Sequence, residues 1–312
     1  MTKNDNVKIS GFYPGFVKKA ISFTIDDGNY RLDKKFIDIV APAGITGAFN
    51  LCGMERCPKE VTPDEYREFY RGYEIANHVS RHPKVFVDIN DVPVSDEVFD
   101  LKTTDLGNKD VVYKSDREGL YYRSFGRYFG VVTTEDTYID LIDEGKRQLE
   151  EVFGEGSVPA FVWPYQEQAS DKIKEYIRKA GYKSVRKTGL AGFFIPENKM
   201  AWSYNATHAN LMDRAAEYEA LETDELTFFC FGVHAHDFEN DNCWDRLEAF
   251  AERYGNRQDF YYATPTEIFD YADAMSALCV ADGEIRNDSD TELYIELNGN
   301  KMVIPAHACV KI

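Results

Sequence analysis

Three groups of residues in this 312-residue chain have the types and spacing that chemistry needs. Asp26-Asp27-Gly28 sets two adjacent carboxylates into a turn. Asp-Gly after a strand is a turn signal by itself, so the pair gains weight only from what lies farther along. His78-Val79-Ser80-Arg81-His82-Pro83 spaces two histidines four apart. On one face of a helical turn both imidazoles would reach one ion, although two ordinary surface histidines give the same pattern. Pro83 keeps that turn from growing into a full helix. One carboxylate and two imidazoles make a three-ligand set that leaves a metal ion an open position for water and substrate. The third group is the late apolar run Phe231-Gly232-Val233, which ends in His234.

Strands must deliver these groups. The run Ile21, Phe23, Ile25 alternates with period two and predicts a strand ending at the paired acids. Residues 45–51 and 73–77 predict further strands, the second running into His78. Residues 158–163, 182–185, 226–233 and 260–262 predict four more. Helices are predicted over 33–40, 62–71, 135–153, 170–180, 214–221, 243–254 and 264–278, the second and last opening on Thr-Pro. Strand and helix alternate and most strands are continuous apolar runs, which indicates a parallel sheet covered by helices. Residues 84–130 break the rhythm and read as an insertion with a hairpin or two. Residues 281–312 alternate as short strands joined by Asn-Gly and Pro-Ala turns, too few for their own core, and read as a β appendage on a main domain of residues 1–280.

Composition narrows the partners. With 36 basic against 54 acidic residues the net charge is −18, and no basic stripe exists to replace counterions on nucleic acid or an anionic membrane. A neutral or cationic substrate fits better. The six cysteines are scattered and most read as reduced, buried thiols; Cys52 and Cys57 lack the second pair of a zinc knuckle. The N-terminus has no apolar signal-type core and no run of 18 apolar residues occurs, so a soluble, cytoplasmic protein without a membrane segment is expected.

Taken together the motifs resemble a known family. Thr24-Ile25-Asp26-Asp27-Gly28 is similar to the TFDDG motif of the NodB-like polysaccharide deacetylases, the fourth carbohydrate esterase family. Glu74-Ile75-Ala76-Asn77-His78-Val79-Ser80-Arg81-His82-Pro83 resembles its EIGNHTxxHP motif. Phe161-Val162-Trp163-Pro164-Tyr165 resembles its RxPY segment, and Phe231-Gly232-Val233-His234 its late strand ending in histidine. The order agrees over about residues 20–275. The resemblance implies an α/β fold, an incomplete (β/α)7-type barrel with its site at the strand C-termini. It implies that Asp27, His78 and His82 hold one divalent ion, zinc or else cobalt or nickel. Asp26 would be the general base toward the attacking water, His234 the general acid, and the Tyr165 backbone amide a donor to the oxyanion. The substrate implied is an acetylated carbohydrate, with Trp163 and Pro164 of the motif walling the pocket; His236 is a further pocket candidate from its place after His234.

That division of labour is chemically sound. Amide hydrolysis needs a nucleophile at neutral pH, stabilisation of the carbonyl oxygen and a proton for a poor leaving group. Several departures bear on it. Val162 stands where the family has the arginine that pairs with the base, and Arg186 is the candidate replacement, against an ordinary basic strand end. Val79 replaces a Thr or Ser whose hydroxyl steadies the histidine turn, a role open to Ser80. Gln166 stands where many relatives have glycine. His236 shares a face with His234 if the strand continues. His208 is a weaker candidate, and His307 reads as structural. Tyr121, Tyr122, Tyr128 and Phe129 are either a sugar-stacking platform or hairpin packing. The leading expectation is hydrolysis of an N-acetyl, or an O-acetyl, group. The alternatives are C–N bond hydrolysis in a small cyclic amide, and a non-catalytic carbohydrate-binding relative.

Overall fold

The computed structural model describes the backbone of residues 8–85, 94–99, 112–115, 120–124, 127–132, 134–165, 170–281 and 283–312, and no side chains within 84–133. Gln166 lies outside these residues, as do the side chains of Tyr121, Tyr122, Tyr128 and Phe129. The chain divides into two compact units. One comprises residues 1–49, 72–74 and 189–312, the other residues 50–71 and 75–188.

The first unit is built on strand Lys19–Asp27. It pairs in parallel with Thr227–His234 in a register that sets Ile25 beside Val233 and Asp26 beside His234. Phe260–Tyr262 also pairs with it in parallel, at Lys19 to Ile21. Phe23 has no exposure and is ringed by Phe36, Phe49, Tyr73 and Phe231, with centroids 4.9 to 6.1 Å away. Each such ring is worth roughly 2–3 kcal/mol in apolar area removed from water. Ser22 and Thr24 are buried as well, so the strand is covered on both faces. Helix Tyr30–Val40 follows directly, capped by the Asn29 side chain, and sends Phe36 into that cluster. Helix Trp244–Tyr254 adds Phe250 against Phe231 at 5.2 Å.

The lead-in and the tail are joined. Ile9–Phe12 is a strand, antiparallel to Leu293–Leu297. The latter pairs in turn with Asn300–Ile304. Ile285, Leu293, Ile295 and Ile304 share one hydrophobic cluster with Ala20, Trp202, Phe228 and Phe269. A second small sheet joins Cys279–Ala281, Glu284–Arg286 and Cys309–Lys311.

The second unit has parallel strands as its frame. Ala160–Val162 pairs with Glu74–Asn77 on one side and Ser184–Leu190 on the other, setting Val162 level with Arg186. Helix Glu135–Phe153, capped by Thr134, buries Tyr138, Ile142 and Leu149. Helix Pro63–Phe69 carries a reciprocal cap between Thr62 and Glu65, and Ser170 caps helix Asp171–Lys179. Within the insertion Val112–Ser115, Leu120–Ser124 and Arg127–Val132 form two successive antiparallel pairings.

Candidate active site

In the first unit the chemistry collects where Lys19–Asp27 and Thr227–His234 end. Asp27 leaves the strand with φ of 83°, and Gly28 continues at 70°. A non-glycine residue at positive φ is disfavoured, so the turn holds Asp27 in a strained conformation. His234 is the last strand residue and caps the short helix Ala235–Asn240. Two of its N–H donors converge on one oxygen: the backbone N–H reaches Asp237 Oδ2 at 2.9 Å and ring Nδ1 at 3.0 Å. This fixes the tautomer, with Nδ1 protonated and Nε2 directed away from Asp237. Burial by itself would lower the pKa of His234. The Asp237 hydrogen bond and the charges of Asp26, Asp27 and Asp237 outweigh it and raise the value to about 9. At neutral pH the imidazole is therefore cationic.

The strand does not continue past His234, so His236 does not reach His234 by strand alternation. It sits in the helix, and its ring stacks on His234 with centroids 4.5 Å apart. One ligand atom from each of Asp27, His234 and His236 lies within 4.8 Å of the others. His208 binds Asp241 at 2.9 Å and stands 3.9 Å from Asp237. His307 pairs with Asp290 in the tail.

In the second unit the histidine pair sits at the end of Glu74–Asn77, though not on a helical turn. Val79, Arg81 and His82 have φ of 62°, 66° and 44°, so the segment is a tight left-handed turn. Tyr165 has φ of 59°. Of the ten non-glycine residues at positive φ among the described residues, Asp27, Val79, Arg81, His82 and Tyr165 fall in the sequence motifs. Such strain, including at a β-branched valine, persists only where the surrounding structure holds the backbone in place. Asn77 supplies the support: Oδ1 accepts from Val79 N–H at 3.0 Å, and Nδ2 donates to the Ile142 carbonyl and to Tyr182 Oη. Ser80 N–H reaches the Leu141 carbonyl, and its hydroxyl donates to Glu55 at 3.1 Å.

His78 Nδ1 lies 2.9 Å from the Val162 carbonyl. A carbonyl only accepts, so Nδ1 carries the proton and Nε2 presents a lone pair. That nitrogen is 3.2 Å from His82 Nε2. Two ligands at about 2.1 Å from a tetrahedral ion stand roughly 3.4 Å apart, and a carbonyl-fixed tautomer is the usual support of a metal-binding histidine. The pair therefore fits a divalent ion. Cys52, buried at the end of strand Ala48–Leu51, joins them, with ligand atoms of Cys52, His78 and His82 all within 4.8 Å. Sequence reasoning passed over Cys52, although it follows a strand just before Gly53, the same placement as His78 after its strand. It also gave Asp237 no role, although the residue stands three after His234.

Tyr165 packs its ring edge-on to His82 at 4.6 Å. Trp163 is buried against Phe161 and Tyr138, and Pro164 is buried beside it. Arg186 is 2% exposed, level with Val162, and its carbonyl accepts from Trp163 N–H at 3.0 Å. Glu74 has a structural task. In the first unit its buried carboxylate accepts from Thr266 N–H at 2.9 Å, at the start of helix Pro265–Ser276.

A profile of the polysaccharide deacetylase family matches residues 15–185, more than half the chain. The chain belongs to that family, the NodB-like carbohydrate esterases of family 4. A Mycobacterium smegmatis protein classed as a polysaccharide deacetylase superposes with a TM-score of 0.52 at 14% identity, over 88% of this chain and 98% of its own. It shows the shared fold, an incomplete (β/α)7-type barrel, here with a small C-terminal β appendage. The peptidoglycan deacetylase PdaC of Bacillus subtilis gives 0.47 at 10% identity, over 85% and 96% of the two chains. A family 4 acetyl xylan esterase of Clostridium thermocellum, solved with a cobalt ion, gives 0.42 at 14%, over 80% and 90%. No curated protein sequence matches the chain. Among the described residues no helix is long and apolar enough to cross a membrane.

Proposed function

We propose that this protein is a divalent-metal-dependent hydrolase that removes N-acetyl groups from a carbohydrate, and that Asp27, His78 and His82 hold the ion. The observation that carries this reading is the histidine pair, with His78 fixed on the Val162 carbonyl and two Nε2 atoms 3.2 Å apart. When bound, a divalent ion supplies a Lewis acid for the acetyl carbonyl and lowers the pKa of a water molecule.

The chain's own residues do the rest. Asp26 accepts the proton of the attacking water. The Tyr165 backbone N–H donates to the oxygen on which negative charge develops, a contribution worth about 3 kcal/mol for one such donor in other hydrolases. His234, held by Asp237 and cationic at neutral pH, gives its Nε2 proton to the departing nitrogen, so that the amine leaves neutral. Arg186 takes the part of the motif arginine toward Asp26; what supports this is its burial level with Val162, one strand over from the vacated position. Pro164 and His236 line the sugar pocket, with Trp163 packed behind.

The test is acetate release from N-acetylglucosamine oligomers and from acetylated xylan, before and after chelation and after return of zinc, cobalt or nickel. Chelation should abolish release and the ion restore it. Asp26→Asn should cost about 10²–10⁴-fold in rate with ion content unchanged. Turnover undiminished in the ion-free protein, or confined to cyclic amides, would overturn the proposal.

A further inference from the structure

We propose that Cys52 is itself a ligand, binding the divalent ion through its thiolate beside His78 and His82. This rests on the proposed metal site and adds a fourth protein ligand to the three that the sequence motifs supply, so that water and substrate would enter as a fifth ligand. Three observations support it. Cys52 is 2% exposed and forms no disulfide. A ligand atom of Cys52 and one from each histidine lie within 4.8 Å of one another. The backbone also ties the two segments together, since His78 N–H donates to the carbonyl of Leu51, the residue before Cys52, at 2.9 Å.

A buried cysteine is most often a small apolar filler. Packing alone, however, gives no reason for sulfur to meet two imidazole nitrogens, one of which presents a lone pair. Zn–S and Zn–N bonds of about 2.3 and 2.1 Å put sulfur and nitrogen roughly 3.6 Å apart, inside the 4.8 Å that bounds these ligand atoms. In the binding step the S–H bond breaks, its proton leaves to solvent and a sulfur–metal bond forms, with no change of oxidation state. The chemical consequence is selectivity. A thiolate favours zinc and cobalt over magnesium, manganese and calcium, which an all-oxygen and imidazole set separates less sharply.

Cobalt(II) provides the test, because a thiolate ligand adds a near-ultraviolet charge-transfer band to the visible ligand-field bands. The metal-free full-length protein is titrated with one equivalent of cobalt. The expected result is both band sets in the wild type and in Cys57→Ser, loss of the near-ultraviolet band with retention of visible absorption in Cys52→Ser, and loss of cobalt binding in His82→Ala. Visible bands without the charge-transfer band in the wild type would overturn the role of Cys52 and leave the histidine site standing. Failure of the wild type to bind cobalt would overturn the metal site and the cysteine together. The wild-type spectrum alone decides between these outcomes should a variant fold poorly.

Discussion

Replacing Asp237 with Asn tests how the acid is kept charged. Two His234 donors converge on Asp237 Oδ2, and the amide oxygen of Asn can accept the same two bonds, so orientation survives while the charge goes. A hydrogen bond to a charged partner is worth about 1.5–3 kcal/mol, or roughly 1–2 pKa units. His234 should then fall from about 9 to between roughly 7 and 8. At pH 9 the protonated fraction drops from about one half to between about 1 and 10%, so kcat/KM should fall roughly 5- to 50-fold there. At pH 6 the imidazole of the variant stays about 90% protonated or more, and the loss should be slight. A cation on Asp27 draws both values down together, which makes the difference between variant and wild type the diagnostic quantity. The assay is kcat/KM for an N-acetylated oligosaccharide from pH 5 to 10. Its basic limb reports the acid of the free enzyme. Superimposable basic limbs would refute the assignment of His234 as the acid held by Asp237.

Two further predictions concern support rather than chemistry. Burial raises Glu74 from 4.5 to about 7, against the lowering effect of its bonds from Thr266 and Thr264. A folded-state pKa above the unfolded value means stability fully present below about 4.5 and lost as pH rises through about 7, at most about 3 kcal/mol. Glu74→Gln should flatten that part of the curve, so urea unfolding of variant and wild type at pH 5 and pH 8 should diverge; parallel changes would rule it out. Gly145, in helix Glu135–Phe153, leaves no room for a side chain. A Cβ there would lie 2.5 Å from Asn77 Oδ1 and 2.9 Å from Ser80 N, the atoms that hold the histidine turn. Gly145→Ala should weaken zinc binding about 10- to 100-fold by titration calorimetry, and unchanged affinity would show that the helix does not position the turn.

Much of the site was legible because its parts are local. Asp26-Asp27-Gly28, His78 to His82 and His234 each follow a short apolar run, whereas the register that sets Asp26 beside His234 appears only in the folded sheet. Helix starts were legible for the same reason, as with the Thr264-Pro265 opening of helix Pro265–Ser276. Other features depended on partners far away in the chain. Ile9–Phe12 is a strand because Leu293–Leu297 lies alongside it, which no local periodicity records. The histidine turn is left-handed because Asn77 and the carbonyl of Leu141 hold it so, whereas spacing alone suggested a helical turn. Cys52 passed for a filler until folding carried it to the histidines. The sequence by itself determined which groups would end strands; tertiary structure decided which of them meet, because hydrophobic burial and backbone pairing act between residues that sequence distance keeps apart.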